Sequence, residues 1–132
     1  MQDLKTKIQK DGFIQVEVMG KSMEPLLKQK RDKIIIENIN GKTINKLDIV
    51  LYQKENSYTL HRVIKIDDNK LYLRGDNNLA SETILKEDVI GILKSYYHLN
   101  KYTEISKKIN IKYYLYSLIS YPFRLVKNKI CK

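Results

Sequence analysis

Three short segments of the chain carry side chains that could perform chemistry: GKSMEP, TLHRVI and LRGDNNLAS. The first contains Ser22, and a serine hydroxyl is a poor nucleophile at neutral pH unless a neighbouring base takes its proton. The second contains His61, whose ordinary pKa of about 6.5 leaves it mostly neutral near pH 7 and able to act as that base. The third contains Asp76 and Asn77, which follow a strand end and a glycine and could orient the histidine or hold the loop. This combination of residue types predicts nucleophilic catalysis by a serine–histidine pair.

Each of these residues also has an ordinary structural interpretation. A serine between a glycine and a proline is typical of a turn, a histidine in a strand is usually structural, and Gly-Asp is a common turn dipeptide. A metal site is not predicted, because His61 and His98 are the only histidines and no thiolate accompanies them. The one cysteine, Cys131, is next to the C-terminus and is expected to be an exposed thiol without a function. No cofactor is expected.

The elements that must position these side chains are predominantly strands. Alternating or β-branched runs predict five or six short strands: FIQVEVM, DKIIIEN, the segment NGKTINKLDIVLYQ after its Asn-Gly turn signal, YTLHRVIKI, KLYLRGD and VIGILKSYYHL. YTLHRVIKI and KLYLRGD flank the turn Asp67-Asp68-Asn69 and predict a hairpin that carries His61. A short helix over LKTKI is expected to end at Gly12. The sequence therefore predicts a mostly-β domain over residues 1–100.

Residues 101–132 are predicted to form a basic, amphipathic helical tail. Beginning at Thr103, uncharged residues recur there at helical spacing: Ile105, Ile109, Tyr113, Tyr116, Ile119, Phe123, Val126 and Ile130. Pro122 should kink or divide this helix near Tyr121. The uncharged window YYLYSLISYPF is eleven residues, fewer than the ~17–25 that a membrane-spanning helix needs. Two interpretations stay open: the stripe lies on a membrane surface with lysines facing anionic lipid, or it packs onto the β body or a second copy.

The net charge of +10 is concentrated in this tail. From Lys101 onward eight lysines and arginines stand against one acid, Glu104, so the first hundred residues carry only +3. A nearly balanced body with a basic tail favours a docking segment over a nucleic-acid-binding surface, and nucleic acid is not expected as a partner. The first twelve residues, MQDLKTKIQKDG, lack an apolar run, so no signal peptide or transmembrane segment is expected. We expect a cytoplasmic protein with peripheral association at an anionic membrane through 101–132.

Taken together, the three segments resemble the signal peptidase I and SOS-repressor superfamily of serine peptidases. GKSMEPLL fits its GxSMxPxL motif at every defined position. HRVI followed by GDNN is similar to the branch with a histidine base, as in endoplasmic-reticulum and sporulation-type signal peptidases. The resemblance covers about residues 13–94 and implies a coiled, partly open β-barrel or sandwich.

The resemblance also implies roles for single residues. Ser22 would be the nucleophile, with its backbone N–H as one oxyanion donor, and His61 the general base. Asp76 matches the aspartate of the GDN loop, an organiser of either His61 or the loop itself. The substrate or oxyanion would be surrounded by Gly20, Lys21, Met23, Pro25 and Asn77.

Several of these positions leave alternatives open. Some members carry a hydroxyl two residues before the nucleophile, where this chain has Gly20, so the second oxyanion donor stays open. Met23 would pack beneath the nucleophile and wall the substrate groove, although core filler would look the same, and Pro25 would stiffen the turn. Ser81 matches a downstream serine of some members, but ASET has Thr83 where an acid usually follows, which argues against a role for Ser81.

The implied function is a serine endopeptidase that removes a leader or signal-like peptide from a partner protein or peptide precursor. The peptide would bind in extended form as an added strand beside Ser22. The alternative is a non-catalytic peptide-binding accessory module of the same fold, which the departures at Gly20 and Thr83 keep open. A self-cleaving repressor is not expected, because the only alanine, Ala80, is followed by Ser81 and not by glycine.

Overall fold

The computed structural model describes residues 3–130, without the side chain of Ile130. Cys131 lies outside the described residues. The first element is helix α1, Leu4–Asp11, which buries Ile8. It ends at Gly12, whose φ of 84° is left-handed and whose N–H donates to the carbonyl of Ile8. The predicted N-terminal helix and its glycine stop are confirmed.

Eight antiparallel strands follow within the described residues and form one open sheet. They are β1 Phe13–Glu17, β2 Asp32–Asn38, β3 Ile49–Lys54, β4 Ser57–Asp67, β5 Lys70–Arg74, β6 Glu82–Leu85, β7 Val89–His98 and β8 Lys101–Glu104. The strand order is β1-β2-β7-β3-β4-β5-β6, with β8 pairing with β7. The prediction of a mostly-β fold is confirmed; β6 and β8 are the strands that the sequence patterns did not predict.

Strand β3 divides the interior into two cores, because it is buried on both faces. Ile49 and Leu51 join a core formed with α1, the segment after β1 and strands β2 and β7. Val50 and Tyr52 point the other way, into a second core that extends to β6. Alternate residues of a strand face opposite sides, so each core receives half of the strand. Burying each large apolar side chain contributes about 1.5–3 kcal/mol, and this double anchoring holds β3 and its hairpin partner β4 in place.

The C-terminal helix, α2, covers Lys107–Ile130. The prediction that a helical tail begins at residue 101 is wrong, because Lys101–Glu104 form β8 and pair with the end of β7. The Ser106 hydroxyl accepts a hydrogen bond from the N–H of Ile109 at 3.2 Å and caps the helix start. Pro122 lies inside one continuous helix and does not divide it. No helix among the described residues combines the length and hydropathy needed to cross a membrane.

Candidate active site

Ser22 lies in the turn that connects β1 to β2. Gly20 precedes it with a φ of 78°, a left-handed conformation that glycine adopts without the steric cost of a side chain. Met23 is buried in the first core and anchors the turn from below. Pro25 is half-buried and borders a crevice shared with Tyr116 of α2. The hydroxyl-bearing residue is therefore held between an exposed glycine corner and a buried methionine.

The loop after β5 packs directly against this turn. The N–H of Asn77 donates to the carbonyl oxygen of Ser22 at 2.8 Å, and the Asn77 amide donates to that of Lys21 at 3.1 Å. At Gly75 an added Cβ would lie 2.6 Å from the Ser22 carbonyl oxygen and 3.0 Å from Ser22 Cβ. Only a glycine permits this approach. Asn77, predicted as a site residue, thus donates to two consecutive carbonyl oxygens, those of Lys21 and Ser22.

His61 lies on β4, opposite Val50 of β3, and its side chain is 12% exposed. Its Nδ1 lies 3.2 Å from the Tyr52 hydroxyl oxygen and 3.7 Å from a carboxylate oxygen of Glu82. Its Nε2 lies 3.4 Å from the amide nitrogen of Asn78. An added Cβ on Gly75 would be 2.9 Å from that same Asn78 nitrogen. The loop of Gly75 and Asn78 therefore borders both the His61 ring and Ser22.

These contacts select one tautomer of the histidine. The Asn78 nitrogen can only donate, so Nε2 must accept and carry a lone pair. The ring proton then sits on Nδ1, where the Tyr52 oxygen accepts it and the Glu82 carboxylate lies nearby. Within residues 3–130 no hydrogen bond joins the Ser22 hydroxyl directly to His61. Such contacts often form only when substrate binds.

Burial lowers the pKa of His61 below its ordinary value, and the negative charge of Asp76 partly offsets that effect. Removing an imidazole from water penalises its charged form, so the neutral ring is favoured at pH 7. A neutral ring with a lone pair on Nε2 is the protonation state that a general base needs.

Asp76 is buried and paired with an arginine. Both of its carboxylate oxygens accept hydrogen bonds from Arg62, each at 2.8 Å. Arg62 also donates to the carbonyl of Leu47 at 2.9 Å and to the amide oxygen of Asn110 at 2.8 Å. Of the two roles that the sequence left open, these hydrogen bonds are those of a loop organiser, and Asp76 acts on His61 through its charge.

Sequence reasoning missed three residues that contact the histidine: Tyr52, Asn78 and Glu82. Tyr52 and Glu82 come from β3 and from the unpredicted strand β6, so only the strand register brings them to His61. Of these three residues, Asn78 could have been identified from the sequence, because it directly follows the GDN motif. The family usually has an acid where this chain has Thr83, and here an acid, Glu82, stands one residue earlier. Glu82 also forms a salt bridge with Lys54 at 3.0 Å. Ser81 is exposed.

A groove of ≈ 360 Å³ runs beside Ser22. Its lining is mostly apolar and comes from α1, β1, the Ser22 turn, β3 and β4: Leu4, Val16, Glu17, Val18, Met19, Ser22, Met23, Leu27, Leu51, Tyr58, Thr59 and Leu60. Residues 57–61 of β4 pair with β3 on one side only, because β5 pairs with β4 from Arg62 onward. In the described part of the chain, β1 is also a terminal strand of the sheet. Two free strand edges therefore border the groove, and each can pair with an extended peptide.

Comparison with protein families matches residues 2–94 to a family described as Peptidase S24-like. The matched region includes every predicted site residue and ends within β7. The comparison with curated proteins gives no significant match.

Proposed function

The chain belongs to the Peptidase S24-like family, and from this membership we propose that it is a serine endopeptidase with Ser22 as nucleophile and His61 as general base. The observation that carries the proposal is the position of Asn78. Its amide nitrogen lies 3.4 Å from Nε2 of His61, and both that nitrogen and Cβ of Ser22 lie within 3.0 Å of the position that an added Gly75 Cβ would take. The nitrogen that would take a proton and the residue that would give it therefore both border the loop of Gly75 and Asn78.

In the proposed reaction the Ser22 oxygen attacks the carbonyl carbon of the scissile peptide bond, and its proton passes to Nε2 of His61. The backbone N–H of Ser22 donates to the oxyanion that develops. His61 then gives the proton to the leaving amine as the C–N bond breaks. Water, deprotonated by the same histidine, then attacks the acyl carbon, and the histidine returns the proton to the Ser22 oxygen as the ester bond breaks.

Asn78 and Glu82 have complementary roles in this scheme. Nε2 has a single lone pair, so Asn78 must release it before Nε2 takes the Ser22 proton, and the amide of Asn78 is then free to donate to the oxyanion. We assign Asn78 as the second oxyanion donor that Gly20 cannot supply. At Nδ1, the Tyr52 oxygen and the Glu82 carboxylate stabilise the imidazolium ion.

The proposed substrate is a leader or signal-like peptide of a precursor protein. It would bind in extended form along the free edge of residues 57–61, with alternate side chains entering the apolar groove. The main chain of the substrate would then pass over Ser22, which lines the same groove.

Digestion of a proteome-derived peptide library, read as new termini by mass spectrometry, tests the proposal. We expect wild-type protein to produce new termini, and Ser22→Ala and His61→Ala each to remove them while circular dichroism shows an unchanged fold. Ser81→Ala and His98→Ala are the matched controls, and both should retain cleavage. Cleavage that persists in Ser22→Ala would contradict the assignment.

The second candidate is a non-catalytic peptide-binding module. It is favoured by the absence, within residues 3–130, of a direct hydrogen bond between Ser22 and His61. This candidate predicts that wild-type protein retains library peptides without new termini, and that Ser22→Ala retains the same peptides.

A further inference from the structure

Helix α2 contacts the β body through its polar face. Asn110 and Ser117 are buried there. Arg62 donates to Asn110 at 2.8 Å, and Arg74 donates to the hydroxyl of Ser117 at 3.3 Å. Only the first turns of the helix add apolar contacts to the core, through Ile109 and Tyr113. The interface that attaches α2 therefore consists largely of hydrogen bonds.

The same polar face binds the loop that carries Asn78. The Tyr121 hydroxyl donates to the carbonyl of Leu79 at 3.2 Å, and Arg124 donates to that of Asn78 at 3.2 Å. The guanidinium groups of Arg74 and Arg124 both lie over the Tyr121 ring, 5.6 and 5.3 Å from its centre. Arg124 is thus turned inward, away from solvent.

The opposite face of α2 is apolar and exposed. We call it the outer face; it consists of Ile111, Leu115, Leu118, Ile119, Phe123 and Val126. Ile119 and Phe123 at its centre are 72% and 74% exposed. No charged side chain occurs between Tyr113 and Phe123. An amphipathic helix of a globular protein ordinarily buries this face, and α2 does the reverse.

Lysines stand at both ends of the outer face. Lys107, Lys108 and Lys112 precede or flank its first turn, and Lys127 and Lys129 follow its last. All five are exposed. The surface is therefore an apolar strip with positive charge at each end.

We propose that the outer face of α2 docks on an anionic lipid bilayer, with the helix axis parallel to the membrane. Its apolar side chains would enter the acyl boundary and its terminal lysines would contact negatively charged headgroups. Charge complementarity selects this occupant over a second copy of the chain. Two such helices packed together, parallel or antiparallel, would place lysines against lysines at both ends, and like charges across an interface are unfavourable.

Co-sedimentation of the full chain with vesicles tests the docking. We expect binding to phosphatidylcholine vesicles that contain phosphatidylglycerol and little binding to phosphatidylcholine alone. The binding should weaken as salt screens the lysines. Equal binding to both vesicle types, or binding to neither, overturns the proposal.

Point variants of exposed side chains identify the surface without disturbing the core. Ile119→Asn with Phe123→Asn should reduce binding at least tenfold, because two apolar side chains no longer enter the bilayer. Leu99→Asn is the matched control, since Leu99 is 72% exposed in the turn between β7 and β8; its binding should equal that of the wild type. Equal loss in both variants, or in neither, contradicts the assignment to α2.

A charge series completes the test. Replacing Lys107, Lys108 and Lys112 with Gln should weaken binding to anionic vesicles about 100-fold, at about fivefold for each lysine. Lys65→Gln with Lys70→Gln, in the β4–β5 hairpin, should change it little. Sedimentation equilibrium without lipid examines the rival occupant: a dimer that becomes monomeric in Ile119→Asn/Phe123→Asn would assign the outer face to a second copy.

Discussion

The protonation state of His61 determines whether it can take a proton from Ser22. Burial lowers the pKa of the imidazole below its ordinary value of about 6.5. The neutral, active form then persists to more acidic pH than an exposed histidine would allow. We predict that kcat/KM on a library-derived peptide is constant from pH 7 to 8 and falls only as pH drops through a midpoint below 6.5. A midpoint above 7 would contradict a buried histidine base, and His98→Gln should leave the midpoint unchanged.

Asn78→Asp changes the group that contacts Nε2 of His61. The substitution keeps the shape of the side chain but places a negative oxygen about where an N–H group donates to Nε2. The carboxylate would accept a proton from Nε2, raise the pKa of His61 and favour the tautomer that cannot act as base. We expect the midpoint to move to higher pH and kcat to fall by about 10²–10³, the usual cost of losing an oxyanion donor. Asn69→Asp, in the exposed turn of the β4–β5 hairpin, is the control, and its profile should match the wild type.

At the scale of single residues, the sequence predicted which residues form the candidate site but not which side chains contact them. Ser22, His61 and Asn77 were recognisable because their motifs are local. Glu82 and Tyr52 were not, because each reaches His61 only through the pairing of separate strands. The buried ion pair also depended on tertiary structure, because only the folded chain brings Arg62 of β4 to the carboxylate of Asp76. Removing one partner of such a buried pair costs about 3–5 kcal/mol, so Asp76 is essential to the loop whether or not it contacts substrate.

At the scale of elements, the Ser22 turn and the loop after β5 are in close backbone contact at Gly75. Gly75→Ala would place a methyl group 2.6 Å from a backbone oxygen, which the backbone can relieve only by moving. We predict a loss of about 1–3 kcal/mol in the free energy of unfolding, together with a large loss of activity per folded molecule, because the Ser22 turn must shift. Urea unfolding and library cleavage measure the two effects.

Gly41→Ala is the matched control for this variant. Gly41 has a φ of 73° and open space around its Cα, so an alanine there is strained but meets no neighbour. It should lose about 1–2 kcal/mol of stability and keep full activity per folded molecule. If Gly75→Ala behaves like Gly41→Ala, the contact with Ser22 does not position the nucleophile.

Elements were predictable where their pattern was long and apolar. The two missed strands, ETIL and KYTE, have four residues each. Both contain charged side chains, so their pairing with β5 and β7 decides their structure more than their composition does. The same pairing of Lys101–Glu104 delays the start of α2 to Lys107. Pro122 was expected to kink or divide the helix. It does not divide it: the missing N–H removes one intrahelical hydrogen bond, and the tertiary contacts of Tyr121 and Arg124 hold the residues on both sides of Pro122 to the body.

At the scale of the whole molecule, the C-terminal stripe divides into a part packed on the β body and an exposed part. Ile105, Ile109 and Tyr113 pack onto the first core, while Tyr116, Ile119, Phe123 and Val126 are exposed. Sequence periodicity could not separate them, because the helix is held by Asn110, Ser117 and Arg124, whose polar partners come from distant segments. The result is a helix that joins the candidate active site to the surface we assign to the bilayer.

This geometry predicts that membrane docking increases the rate of cleavage at the bilayer surface. Because Arg124 and Tyr121 bind the loop of Asn78, a docked helix holds the Ser22 groove close to the lipid. A library-derived peptide extended with an acyl chain would then meet the protein on the same surface, at an effective concentration that raises its apparent rate by about 10²-fold or more. Anionic vesicles should accelerate cleavage of the acylated peptide and leave that of the free peptide unchanged. Ile119→Asn/Phe123→Asn should abolish the acceleration while cleaving the free peptide at the wild-type rate. Acceleration that survives in this variant would place the lipid contact elsewhere on the molecule.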